Sequence, residues 1–426
     1  NLTLKSPIRV DPDQLRIEAA ISSLGGQIIV AGEIIPSLVI ILPDDSGYPS
    51  ALEAFPSIIL IEEERLIRPS HHRLTPIASP QAHTLQSRWA QEMVGLPSAH
   101  QLSMGRGVRI AVLDTGVNVS HPELVGVNFY LLDSRVDGEG PEDLANHGTA
   151  VCSIIAGHGP EVNGVAHEAS FASIKVLNRD GLSTTSIIVA GLDAALSANA
   201  DVINLSLAFD DRFAVPPTVE YALKVAAELG VIVVAASGNE GRTDAIPAPG
   251  KSKYCLAINA VDRFARPPIW GNTAPQPYGV DCAAPGVDVL LANSSGGYAL
   301  GSGTSFACPF VSGGLALALA VDPTMKVGGT VLDPKFGELL PAALSNSLWK
   351  LRGSASPIPG YNEDRIGYGL LDCAGIIGLA KTPLPEPTQE PPAYPSNTGA
   401  LLAIGGVYLL GVMALKGKRQ GQKAYR

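Results

Sequence analysis

A doubly wound α/β domain with a mostly parallel sheet, preceded by a smaller α+β unit, is the architecture this sequence predicts, and three observations carry it. From residue 108 onward, apolar runs such as VRIAVLD, FASIKVL, DVINLSL, GVIVVAAS, YCLAINAV and YGVDCAAPG recur between stretches of helical length. Runs apolar at nearly every position are strands covered on both faces, as a parallel sheet between two helix layers requires. The first seventy residues show a different order, β-α-β-β-α-β, which is the split ferredoxin-like pattern. Finally, 426 residues with 46% apolar and 16% charged side chains can fill one large core and leave room for appendages.

Each element has a local reason. In the amino-terminal unit, IRV (8–10) is a strand, and Asp11 caps a helix from Pro12 to Leu24 that Gly25 and Gly26 stop. Strands QIIVA and SLVIIL, a short helix from Ser50 to Phe55 and the strand SIILI complete it. Residues 65–100 are mixed and proline-bearing, so the unit is placed at 1–72 and a connector at 73–100. The α/β domain then spans 101–380, with helices expected over Thr184 to Ala198 and Thr218 to Leu229. Six prolines among residues 381–397 make a semi-extended spacer. Gly399 to Leu415 is seventeen residues without a charge, long enough for a membrane span, placed at 398–415. The last eleven residues carry five basic side chains and no acid, a tail that the positive-inside tendency puts in the cytoplasm with the bulk of the chain outside. Export of that bulk needs a signal, so a removed signal peptide is expected ahead of Asn1.

Charge and cysteine use narrow the function classes. The formal charge is −10, and −15 without the basic tail, which disfavours nucleic acid as a partner. Five scattered cysteines, Cys152, Cys255, Cys282, Cys308 and Cys373, form neither a disulfide scaffold nor a CxxC zinc site and read as small buried hydrophobes.

Chemistry is expected outside the carboxyl ends of the strands, where open parallel sheets bind ligands. Asp114 ends VRIAVLD, His147 opens HGTAVCSIIAG at a helix start, and Asn239 ends VIVVAASGN. In GSGTSFACPF, two glycines clear one side of Ser305, and Phe306 begins a buried helix with Pro309 in its first turn. A strand-end Asp, a helix-start His and an Asn before Glu-Gly are each ordinary turn or cap residues. Together in one sheet domain they are the parts that nucleophilic acyl transfer needs.

Those segments carry a resemblance. DTGV at Asp114, HGT at His147, ASGNEG at Asn239 and GTSFACP at Ser305 closely resemble the signature segments of the subtilisin-like serine proteases, in the chain order Asp, His, Ser. His147 follows Asp114 by 33 residues, Asn239 follows by 92 more and Ser305 by 66 more, spacings similar to the family's. The agreement runs over roughly residues 89–380, with DVINLSL, APG (284–286) and GYGLLD (367–372) in matching places.

The resemblance implies roles. Ser305 would be the nucleophile, His147 the general base and then acid, Asp114 the carboxylate that fixes the imidazole tautomer, and Asn239 an oxyanion donor beside the Ser305 backbone N–H. Peptide substrates would add as a strand between Ser206-Leu207-Ala208 and Ala236-Ser237-Gly238. Glu240 near that pocket and Ala208 where many relatives have glycine leave room for a narrowed pocket with some preference for basic or polar side chains, while the following Asp210 and Asp211 read first as solvated loop charges. Residues 1–72 look like the pro-domain that blocks such proteases until it is cut, here near Ser70 to His72, so the intact chain would be a zymogen inhibited by its own pro-domain. HGPEVN (158–163) is too short for the calcium loop of several relatives, and no metal or cofactor is expected. A second histidine after His147 and one at Phe310, common in relatives, are missing; neither position belongs to the triad. The expected function is a membrane-anchored serine endopeptidase. The alternative is a catalytically weak scaffold of the same fold stabilising a membrane secretion complex, since the spacer and terminal span resemble the layout of the mycosins.

Overall fold

The computed structural model describes residues 27–31, 38–41, 66–67, 72–77, 88–209, 215–326, 328–333 and 335–383 of the chain. Strands β1 (Gln27–Ala31) and β2 (Leu38–Ile41) pair antiparallel, as expected for the two central strands of the amino-terminal unit. The other expected elements of that unit, at 8–10, 12–24, 50–55 and 57–61, lie outside the described residues, as do the terminal span at 398–415 and the basic tail. The connector is more ordered than its composition predicts. After β3 (Leu66–Ile67) near the end of the amino-terminal unit, it carries β4 (Arg73–Ile77), α1 (Trp89–Met93) and α2 (Leu96–Ala99).

The main domain follows as β5 (Arg109–Asp114), β6 (Phe129–Ser134), α3 (Gly148–Ala156), β7 (Ser170–Lys175), β8 (Ser183–Thr184), α4 (Thr185–Ser197), β9 (Val202–Leu205), α5 (Pro217–Glu228), β10 (Ile232–Ala236), β11 (Leu256–Val261) and β12 (Cys282–Pro285). Then come β13 (Val289–Ala292), β14 (Tyr298–Ser302), α6 (Thr304–Val321), the hairpin β15 (Thr330–Asp333) and β16 (Glu338–Pro341), and α7 (Ala342–Ser354). The six strands read from the apolar runs are all present, with helices α4 and α5 within a residue of their expected ends. The doubly wound α/β architecture is therefore the one found.

A seven-stranded parallel sheet in the order β12-β11-β10-β9-β5-β7-β6 forms the centre. Successive side chains of a strand point to opposite faces. Ile110 and Val112 of β5 enter one core with α3 and α6, while Ala111 and Leu113 enter the other with α4 and α5. Two apolar faces explain why β5 shows no polar alternation. The edge strand β6 alternates more exposed and less exposed positions, and the sequence pattern missed it.

Helix α6 departs from the sequence reading. It starts at Thr304 rather than Phe306, so Pro309 falls inside it and not in the first turn. Proline has no N–H for the carbonyl four residues back. The Ser305 carbonyl instead accepts the Ser206 hydroxyl at 2.7 Å, so the break in the helix ladder is repaired from the end of β9. By length and composition α6 is the one helix among the described residues that could cross a membrane, yet 89% of it is buried within the domain, which makes it a core helix.

Candidate active site

Asp114 and His147 meet because two backbones approach closely. A Cβ on Gly148 would stand 2.1 Å from the Gly116 carbonyl oxygen, so only glycine lets the start of α3 lie against the turn after β5. His147 occupies the cap position of α3 without capping it, because its ring is committed elsewhere. The orphan N–H groups of that first turn are taken by neighbours instead. Gly148 N donates to Thr115 Oγ1 at 2.8 Å and Thr149 N to Asp143 Oδ2 at 2.9 Å, while Thr115 Oγ1 donates to Asp143 Oδ1 at 2.8 Å.

The result is a buried imidazole–carboxylate pair. His147 Nδ1 lies 2.7 Å from Asp114 Oδ1, which also accepts the Thr115 N–H at 2.7 Å. This fixes the tautomer: Nδ1 carries the proton toward the carboxylate and Nε2 presents a lone pair. Nε2 is buried with no hydrogen-bond partner, and His147 and Ser305 line the same cavity of about 190 Å³. Burial by itself would push the imidazole's pKa down. The Asp114 charge and hydrogen bond, with a contribution from Asp143, outweigh it and raise the pKa above the ordinary 6.5.

Ser305 is the second residue of α6, where a backbone N–H has no acceptor within the helix. Asn239, just past β10, is oriented from the same helix start: its Oδ1 accepts Thr304 N at 2.8 Å and Thr304 Oγ1 at 2.9 Å. With the oxygen so engaged, the amide nitrogen faces Gly303. A Cβ there would stand 3.4 Å from Asn239 Nδ2 and 3.6 Å from Ser305 Oγ, so the glycine lies between amide and hydroxyl. Asp114, His147, Asn239 and Ser305, remote in sequence, are thus gathered at the carboxyl ends of the strands.

Residues 105–331 match the Subtilase family. The chain belongs to that family. Among its relatives, an intracellular serine protease of Paenibacillus polymyxa is 36% identical over 236 residues, which is 53% of this chain and 71% of that protein. A thermophilic serine proteinase of Bacillus sp. (strain AK1) is 38% identical over 250 residues, 55% of this chain and 60% of that protein. An alkaline protease of Alkalihalobacillus alcalophilus is 35% identical over 297 residues, 68% of this chain and 71% of that protein. This subtilase is a subtilisin-like serine endopeptidase, and proteins are its substrate class.

Other parts of the subtilase cleft refine the sequence reading. Ser206, Leu207 and Ala208 leave the end of β9 nearly buried, and the Ser206 hydroxyl donates to the Ser305 carbonyl while Ser206 also lines the cavity. Ala236 ends β10, Ser237 N donates to Ile258 O at 2.9 Å, and Gly238 N to Thr304 Oγ1 at 3.1 Å. The Glu240 carboxylate is already used by Asn272 Nδ2 at 2.5 Å and Asn239 N at 3.1 Å, which weakens its expected pull on basic side chains. Asp210 and Asp211 lie outside the described residues. All five cysteines are free and buried; Cys152 sits in α3 and Cys308 in α6.

Sequence reasoning missed three groups: the Thr115–Asp143 pair that caps α3, the buried Lys175, and His72. The His72 ring centroid lies 4.4 Å from that of His147 and 6.0 Å from that of Phe306. Only the HGT segment hinted at the first, through the helix start it implies. Nothing in the linear sequence points to the other two.

Proposed function

We propose that this endopeptidase works through an acyl-enzyme on Ser305 and is made as a zymogen tethered to a membrane. The observation that carries the first part is the 2.7 Å contact of His147 Nδ1 with Asp114 while Nε2 stays unpaired in the cavity it shares with Ser305. Nε2 takes the hydroxyl proton as Ser305 Oγ adds to the scissile carbonyl. Negative charge moves to the carbonyl oxygen, toward the Asn239 amide and the Ser305 N–H. His147 returns the proton to the leaving amine, and a water deprotonated by the same nitrogen then releases the acyl group. Asp114 steadies the imidazolium between these steps.

The zymogen reading is supported by the path of the chain's own backbone. β3 pairs antiparallel with β8, and β4 pairs antiparallel with β14, Arg73 standing opposite Ser302. His72, at the end of the segment expected to be cut, packs on His147 just before β4, which supports this reading. Backbone pairing of this kind gives affinity with little demand on side chains. The tether rests on the uncharged run Gly399 to Leu415 and its basic flank.

A fluorophosphonate that phosphonylates the wild-type chain and not Ser305→Ala supports the mechanism. Equal labelling of both, or none of a wild type cut after residue 72, would sink it.

A further inference from the structure

Lys175 is a fully buried charge that the proposed reaction does not use. It ends β7, and the register of the parallel pair sets it opposite Asp114 at the end of β5. Its side-chain nitrogen donates to the Thr115 carbonyl at 2.7 Å and to the Glu142 carbonyl at 3.3 Å, and it pairs with Glu139 Oε2 at 3.2 Å. An ammonium has three N–H donors and no acceptor. Two of them go to the Thr115 and Glu142 carbonyls, and the Glu139 carboxylate balances the charge as an ion pair.

What it holds is the hinge of the site. Thr115 bonds Asp114 Oδ1 through its N–H, while its hydroxyl accepts from Gly148, the residue after His147. The carbonyl of the same residue is the one taken by Lys175. On its far side Val117 N donates to Pro141 O at 3.0 Å, which ties this turn to the segment that contains Glu142 and Asp143. Glu139 is held from outside by Arg179, whose Nε and backbone N donate to Glu139 Oε1 at 3.1 and 3.2 Å. A buried lone cation would be costly, and its pairing with Glu139 offsets that cost without removing the donors from Thr115 and Glu142.

Resting on the reading of Asp114, His147 and Ser305 as the triad, we propose that Lys175 is a positioning residue of the reaction. Its ammonium clamps Thr115 and Glu142 from behind, so that the carboxylate of Asp114 and the start of the His147 helix keep one fixed relation. An apolar side chain of similar length takes the ammonium donor away from the Thr115 and Glu142 carbonyls, while Glu139 keeps Arg179, and the turn after Asp114 relaxes. A misplacement of about 1 Å in reacting groups can cost on the order of 100-fold in rate. The imidazole faces Asp114, with Asp143 near it and the His72 ring tilted against it at 4.4 Å between centroids. Taking a cation away from this carboxylate-rich surrounding favours the imidazolium.

The test compares the full chain with Lys175→Met, Lys175→Gln and Lys175→Arg, each allowed to mature until fluorophosphonate labelling of withdrawn samples is maximal, and the turnover of the unlabelled remainder is divided by the sites so counted. The expected result for Lys175→Met is a fall in kcat of roughly 10- to 100-fold with KM within about twofold. The acid limb of its pH–rate profile moves upward by about half a unit. Lys175→Arg, which keeps charge and donors, recovers most of both. Per-site kcat and acid limb equal to wild type in Lys175→Met overturn the proposal, even if the variant melts earlier, since a merely structural lysine would show that pattern. If Lys175→Met fails to fold, equal per-site rates in Lys175→Gln and Lys175→Arg overturn it as well. A wild type that takes no label at all fails at Ser305 and sinks the triad reading instead.

Discussion

At the residue scale, the imidazole of His147 is the group whose environment has the most direct consequence. It must be neutral to take the Ser305 proton, and its pKa is raised by Asp114 and Asp143 against the effect of burial. Activity is therefore present above the raised value and lost as pH falls through it. The acid limb of kcat/KM for a small peptide substrate should lie above the ordinary 6.5, and a limb below that value would contradict the geometry. Asn239 makes a separate prediction. Its oxygen is pinned by Thr304, so Asn239→Ala removes a preoriented donor. The expected cost is about 10²- to 10³-fold in kcat with KM little changed, a magnitude established on subtilisin itself. A loss confined to KM would assign Asn239 to substrate binding.

At the scale of elements, α6 shows how a helix can tolerate an internal proline beneath a nucleophile. Pro309 withholds an N–H from the Ser305 carbonyl, and Ser206 replaces it. Ser206→Ala leaves that buried carbonyl unpaired and should cost about 1–3 kcal/mol in urea unfolding. Adding Pro309→Ala restores a helical donor and should recover part of the loss; a double variant as weak as the sum of the two singles would refute this account. Phe306 is fully buried one residue past Ser305, its ring centroid 5.5 Å from that of His147. Phe306→Ala should cost about 3–5 kcal/mol and reduce turnover per labelled site as well as the folded yield. At this scale the sequence was clear for strands covered on both faces, because such strands are apolar throughout. It was silent on β6, half exposed at the sheet edge. The β13–β14 ribbon was legible in principle, since NSSGG stands between VLLA and YALGS as a turn signal.

For the molecule as a whole, the packing of His72 on His147 in the uncut chain predicts low activity before cutting. Adding residues 1–72 back as a separate chain should inhibit the protease that begins after them, by competition with a peptide substrate. Noncompetitive inhibition or none would remove the zymogen reading. The tether is tested by fractionation: with residues 398–426 the protein should pellet with membranes and resist high salt, and without them it should not. Recovery of both forms in the soluble fraction rules the tether out. These two properties are independent, since one depends on the segment ending near His72 and the other on the chain beyond residue 397.

The sequence alone determined the fold class and nominated the four residues of the proposed chemistry, Asp114, His147, Asn239 and Ser305. Their signals are local: an apolar run that ends in a polar residue, a glycine that permits a close turn, a serine opening a buried helix. Only the tertiary structure decided what stands behind them. Lys175 looks like the charged end of a strand until the parallel register sets its ammonium under Thr115. Ser206 reads only as part of a substrate segment until the helix proline leaves its hydroxyl a carbonyl to serve as well. His72 reads only as the end of the amino-terminal unit, near the expected cut, until the pairing of β4 with Tyr298–Ser302 beside it brings its ring onto His147. Each depends on which distant backbones lie side by side, and that is fixed by packing both faces of one sheet at once rather than by any neighbour in the chain.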